Sequence, residues 1–258
     1  MDISLKDIMA CEGADFSSDQ SVLFRFFGFI RGQVPPDPQA GTTASVSVRR
    51  LAEQLEGDHI HLNVIRVGFD EFDADDLEDA LIELDYSIYR IRNIYRPRGI
   101  GVGRTLHWFI DSDDSDGLDT IGSNGDAADL WRSWSVDNNG IDAFVVRSIS
   151  GFFGLSPVDG DCDKGGKNDG CLAGGVDRGD EGLSRTFAHE VGHFLGEDHN
   201  HGNNSCPTTN AGRRNLMAQT GCVPFLADGT TRDTRNSVNL TNAQGNRMDD
   251  HECIRGGC

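Results

Sequence analysis

The sequence predicts a mixed α/β protein with a largely parallel sheet. Alternating β-branched segments recur at His59–Phe69, Gly101–Ile110 and Ile141–Ile149, and helical patterns fall between them. Strand, helix and strand in that order favour parallel pairing through right-handed crossovers. With 258 residues and 37% hydrophobic content, the chain can fill one substantial core or two small lobes.

Residues 1–58 differ from the rest and read as an N-terminal extension or propeptide-like segment. Their apolar run Val22–Ile30 is too short to span a bilayer, and a strand or packed extension is expected there. The strand at His59–Phe69 leads into "DADDLEDALIELDYSIYRIRNIY", where Leu77, Leu81, Leu84, Ile88, Ile91 and Tyr95 recur at three- and four-residue spacings. This is a long amphipathic helix, acidic at its start and basic at its end as the macrodipole prefers. Gly101–Ile110 is the second strand, residues around Ala127–Trp134 are helical, and Ile141–Ile149 is the third strand. Two shorter extended pieces follow at Phe152–Ser156 and Leu172–Asp177. "GLSRTFAHEVGHFLG" offers Ser184 as N-cap, Phe187, Val191, Phe194 and Leu195 as an apolar stripe, and Gly196 as terminator. Thr241 and Gln244 stand at capping-box spacing and predict a last helix.

A net charge of −19, from 42 acidic against 23 basic residues, argues against a partner bound through its phosphates. Lysine occurs only at Lys6, Lys164 and Lys167. That bias fits a solvated acidic surface in salty or calcium-containing surroundings, and equally a GC-rich genome. No segment is long and apolar enough for a membrane span, no signal peptide is expected in the N-terminal residues, and a monomer is the default. Six of the seven cysteines form locally spaced pairs, Cys162 with Cys171, Cys206 with Cys222 and Cys253 with Cys258, although other connectivities are open. Paired cysteines in loops favour an oxidising, secreted or otherwise extracytoplasmic setting. Cys11 is left over, and its surroundings read as a free or crosslinked thiol rather than a latency ligand.

The chemistry concentrates in "HEVGHFLGEDH", His189–His199. On a helix His189 and His193 project from one face, close enough to share an ion. Glu190 lies about 100° further round, able to reach a water on that ion without being a ligand. Gly196 tolerates the left-handed backbone of a reversal, and His199 follows as a third ligand. Three imidazoles on Zn²⁺ leave a fourth position open, the mark of a catalytic site. Glu190 as base and acid then makes metal-assisted amide hydrolysis the expected reaction. His-Glu-x-x-His alone would arise in a shuffle of this chain roughly once in a hundred tries, and adding Gly196 and His199 makes coincidence negligible.

His189, Glu190, His193, Gly196 and His199 match H-E-x-x-H-x-x-G-x-x-H, and the chain resembles the metzincin clan of zinc metallopeptidases. In that clan a Met-turn lies beneath the zinc, and "RRNLMAQTG" supplies Met217. The resemblance implies His189, His193 and His199 as zinc ligands, Glu190 as general base and acid, and Met217 as hydrophobic floor. It covers about residues 59–250. It also implies a twisted, mostly parallel sheet with an antiparallel edge strand, a long backing helix and an active-site helix, plus a small irregular C-terminal subdomain. Residues 59–199 would then be the N-terminal catalytic subdomain and residues 200–258 the C-terminal one, with Met-turn and last helix. Asn200 and Gln219 depart from subfamily patterns, so no tyrosine-switch role is carried over. The function implied is a zinc metalloendopeptidase; the alternatives are a narrow zinc amidase or peptidase, and a non-catalytic zinc-stabilised binding module.

Two acidic loops are candidate calcium sites or plain solvated loops: Asp111, Asp113, Asp114 and Asp116, and Asp159, Asp161 and Asp163. For a peptide or protein substrate the expected edge strand is Phe152, Phe153, Gly154, Leu155 and Ser156, or alternatively Leu172–Val176. His201 breaks the ligand spacing, and His59, His61 and His107 read as structural.

Overall fold

Apolar residues along β1 (His59–Val67) divide between two faces: Ile60, Leu62 and Val64 enter one core cluster, Ile65 and Val67 the other. β4 (Ile141–Val146) does the same, with Ala143 and Val145 on one side and Phe144 and Val146 on the other. Strands apolar on both faces need cover on both, which is the condition for a buried parallel sheet. A computed structural model describes residues 58–164, 166–174, 180–202 and 205–256. The predicted N-terminal extension, with Val22–Ile30 and Cys11, lies outside the described residues except for Asp58.

The five-stranded sheet runs β2 (Gly101–Ile110), β1, β4, β7 (Gly170–Gly174), β6 (Gly154–Leu155). All neighbours are parallel except β6, which pairs antiparallel with β7 at the edge. One face is covered by α1 (Ala74–Tyr95) and α3 (Asp180–Phe194), the other by α2 (Asn124–Ser133) through Ala127, Leu130 and Trp131. The Asp73 side chain caps α1 by accepting from the Asp75 and Asp76 amides, and Ser123 with Asp126 forms a capping box on α2. The fold class is therefore the one the sequence predicts, a mostly parallel α/β sheet with an antiparallel edge.

Several local readings need correction. The strand expected over Ile141–Ile149 is two. β4 ends at Val146, and β5 (Ser148–Ile149) leaves to pair with β3 (Thr120–Ile121) in a separate two-stranded sheet, where Arg147 pairs with Asp119. Ser184 is not the N-cap of α3, which starts at Asp180 and carries Ser184 fully buried in its interior. Leu172–Val176 is no edge strand, because its described residues belong to β7, between β4 and β6.

Of the expected cysteine pairs, Cys206–Cys222 is present, but Cys162 bonds Cys253, 91 residues away, and Cys171 is a free, buried thiol. Strand alternation turns Cys171 and Ala173 of β7 into the core under α3, and the C-terminal segment brings Cys253 to Cys162. Cys258 lies outside the described residues.

After His199 the described chain has no strand of its own, only isolated bridges, the helices α4 (Asn210–Arg213) and α5 (Asn242–Asp249), and a 3-10 turn at Thr220–Cys222. Leu216, Met217, Leu240, Met248 and Cys253 join the cluster filled by α1, α3 and the sheet, so this segment shares the main core. α5 begins at the predicted Thr241–Gln244 capping box. No described helix is long and apolar enough to cross a membrane.

Candidate active site

α3 buries Leu183, Phe187, Ala188, Val191 and Phe194, which turns His189 and His193 toward the segment beyond the helix. The helix stops at Gly196, whose φ of 89° is a conformation only glycine adopts without strain. There the Glu197 amide donates to Gly192 O at 3.0 Å and the Gly196 amide to His193 O at 2.9 Å, the two bonds of a Schellman ending. The reversal brings His199 back against the helix.

The three Nε2 atoms converge: His193 to His189 at 3.0 Å, and each to His199 at 3.3 Å. His189 Nδ1 faces Leu216 O at 2.7 Å and His193 Nδ1 faces Glu197 O at 2.5 Å. A carbonyl only accepts, so both Nδ1 atoms carry their protons and both Nε2 atoms present lone pairs. Lone pairs aimed at one point repel unless a cation lies between them. Tetrahedral Zn–N bonds of about 2.0–2.1 Å place ligand nitrogens roughly 3.3 Å apart, so the donors present fit zinc in number, type and spacing. Electrostatics agree: burial lowers the His189 and His193 pKa values, and burial with the neighbouring histidines lowers His199 to about 4, so all three stay neutral at pH 7.

Glu190, also buried, has its carboxyl pushed up to about 8 by burial, with Arg185 opposing. An ideal Cβ on Gly154 would lie 2.6 Å from Glu190 Cγ, so edge strand β6 passes directly against this carboxylate and leaves no room there for a side chain. Met217 is fully buried, and its Sδ lies 2.8 Å from an ideal Cβ on Gly192, so that glycine lets the thioether reach the helix between the two histidines. Tyr95 Oη donates to Ala188 O at 2.6 Å and anchors α1 to the same turn of α3.

No family model matches the chain, and neither does any curated protein. Among solved structures it is similar to metalloproteinase-II from Bacteroides fragilis, at 16% identity and TM-score 0.44, over 77% of this chain and 54% of that one. It is also similar to archaemetzincin from Methanopyrus kandleri, at 14% identity and TM-score 0.42, over 74% of this chain and 95% of that one. The chain thus spans about half the length of the Bacteroides protein.

Other predicted residues fall into place unevenly. Gly154 and Leu155 form β6, while Phe152, Phe153 and Ser156 flank it. His201 stacks beside His199 and accepts from the Gln219 amide at 3.2 Å, outside the histidine cluster. The acidic loops bring no three carboxylates together: among the described residues the groups of three metal-ligating side chains are His189, His193 and His199, and Cys162, His251 and Cys253, where the two cysteines are disulfide-bonded. The Asp111 carbonyl instead turns its own loop, accepting from the Asp114 and Ser115 amides, and Asp161 accepts from the Asp163 amide. The Asp159 amide donates to His193 O, fastening that loop to the end of α3. Sequence reasoning missed Arg185, a buried cation four residues before His189. The available signal was helical spacing, which puts Arg185 on the face of His189 and away from the apolar stripe.

Proposed function

We propose that the protein is a zinc-dependent metalloendopeptidase of the metzincin type. The observation that carries this reading is the convergence of three Nε2 atoms, two of them, on His189 and His193, in rings held by carbonyls at Nδ1. His189, His193 and His199 would hold one Zn²⁺, which when bound supplies a Lewis acid for a peptide carbonyl and for water. Burial pushes the Glu190 carboxyl up to about 8, close to neutrality, a range suited to accepting a proton from water and returning it to a leaving amine. β6 ends the sheet beside Glu190 and offers its outer backbone to an extended peptide, which would pair with it as an added strand. Residues 59–199 act in this reading as the catalytic subdomain, and residues 200–258 supply the Met-turn floor. The two disulfides support an extracytoplasmic location.

Metal quantification paired with cleavage of a mixed peptide library tests the proposal. One zinc per chain and cleavage that disappears in Glu190→Ala are expected. One zinc with no cleavage by wild type would assign the chain to the binding modules instead.

A further inference from the structure

Arg185 is 2% exposed on α3, one turn before His189. Among the described residues no carboxylate lies within salt-bridge distance of it, and burial lowers its pKa to about 10 with the Glu190 carboxylate opposing. Its guanidinium is spent on the segment beyond His199. Nε donates to Ser237 O at 2.8 Å and Nη1 to Thr220 Oγ1 at 3.2 Å. Nη2 reaches Leu216 O at 3.0 Å, Asn215 O at 3.4 Å and Ala218 O. Three carbonyl acceptors, on Asn215, Leu216 and Ala218, thus come from the turn that carries Met217. Leu216 O is the acceptor of His189 Nδ1 as well, so the two donors use one carbonyl. The core alone gives no reason for a guanidinium here, since an apolar side chain of similar volume avoids the cost of burying a charge. A fork of fixed N–H donors does give one, because it can hold several carbonyls of an irregular turn at once.

We propose that Arg185 is a positioning residue for the metal site. It fixes the carbonyls of the Met217 turn, and through Leu216 O it fixes the ring of His189 with its Nε2 turned toward the other two histidines. The inference rests on reading those histidines as zinc ligands. Asn215 braces the turn from the opposite side: its Oδ1 accepts from the Met217 amide at 2.8 Å, and its Nδ2 donates to Gln244 at 2.7 Å. With both braces in place the turn cannot drift without carrying His189 with it.

The test is zinc affinity, measured by competition with a chromophoric chelator, and the visible spectrum of the Co²⁺-substituted protein. Arg185→Lys keeps the buried cation but loses the fork, and should weaken zinc about ten- to a hundredfold, as loss of a ligand-orienting partner does elsewhere, with shifted Co²⁺ bands. Arg185→Met should do at least as much where it folds. Leu84→Ala, a core truncation on α1, should lower the melting temperature and leave both readouts at wild-type values. A folded Arg185→Lys protein with wild-type affinity and spectrum overturns the proposal, as does an affinity loss matched by Leu84→Ala. A wild type that binds no zinc overturns the site and the clamp together. A wild type that binds one zinc without cleaving peptides removes only the peptidase reading, and weakened zinc in its Arg185→Lys variant still supports the clamp.

Discussion

The chain up to His193 and the chain after Gly196 reach order by different means. The first is sheet and helix, where alternating apolar residues choose the face and hydrogen bonds follow the ladder. The second adds Leu216, Met217, Leu240 and Met248 to the same core but fixes its irregular backbone through single links: the Cys206–Cys222 and Cys162–Cys253 bonds, Arg214 on Asp233, Asn215 on Gln244, and Arg185 reaching across from α3. The candidate metal site lies where the two meet, with two histidines and Glu190 from the regular part and His199 with the Met217 turn from the irregular one. Periodic packing tolerates small changes because many contacts share the load, whereas a segment held by a few links depends on each of them.

The largest effect should come from the regular side. Glu190→Gln should cut peptide cleavage by roughly 10²–10⁴-fold while zinc stoichiometry, read by elemental analysis, stays at wild type. The same variant separates metal from fold in the zinc-free protein. The folded pKa of Glu190, about 8, lies above the unfolded value, so the stabilising contribution is complete below about pH 4.5 and is lost as pH rises through 8. Zinc-free Glu190→Gln should therefore be more stable than zinc-free wild type by up to about 3 kcal/mol at pH 7, the difference closing near pH 4.5 in denaturant melts. His199 runs the other way: its depressed pKa keeps its contribution above about pH 6.5 and loses it as pH falls through about 4. A stability difference between the two proteins that does not change with pH would show that Glu190 is not buried as a lone carboxyl. Next comes Gly154→Val on β6, whose side chain would collide with Glu190. About 10–100-fold lower kcat with unchanged zinc affinity is expected, the scale of a small misplacement at a reacting group; full activity would move the substrate path away from β6.

The same contrast explains what could be read in advance. β2, α1 and the start of α5 were legible because period-two alternation, a 3.6-residue stripe and a capping box are local signals. The five motif residues were legible because helix geometry makes His189 and His193 neighbours and Gly196 permits the reversal. The cysteine pairs were misread where sequence proximity replaced knowledge of side-chain direction: Cys171 lies on a buried strand face, while Cys162 meets a partner brought back by the C-terminal segment. Arg185 and its carbonyl acceptors were invisible for a related reason. Backbone acceptors carry no sequence signature, so a link from a side chain to a turn appears only once the chain is folded.

Gly196 is the joint between the two parts. A Cβ there meets nothing closer than 3.6 Å but must adopt a φ of 89°. Gly196→Ala should therefore cost about 1–2 kcal/mol through backbone strain alone and weaken zinc by altering the approach of His199. Loss of stability without loss of zinc affinity would mean the reversal is fixed by the downstream links rather than by the glycine.

The smallest effects give the cleanest comparison, because each part carries one capping box. Ser123→Ala on α2 and Thr241→Ala on α5 should each cost about 1 kcal/mol in a denaturant melt. Their consequences for zinc should differ. The Ser123 box is closed on itself: Asp126 accepts from the Ser123 amide at 2.9 Å, and α2 lies on the sheet face opposite α3. In the Thr241 box, Gln244 Oε1 accepts from the Thr241 amide at 2.9 Å and from Asn215 Nδ2, and Asn215 Oδ1 receives the Met217 amide. Loosening that cap therefore loosens the turn under His189. A few-fold weaker zinc affinity, roughly threefold, is expected for Thr241→Ala and none for Ser123→Ala. Equal zinc affinities at equal stability loss would show that the irregular part acts on the site as a rigid body rather than link by link.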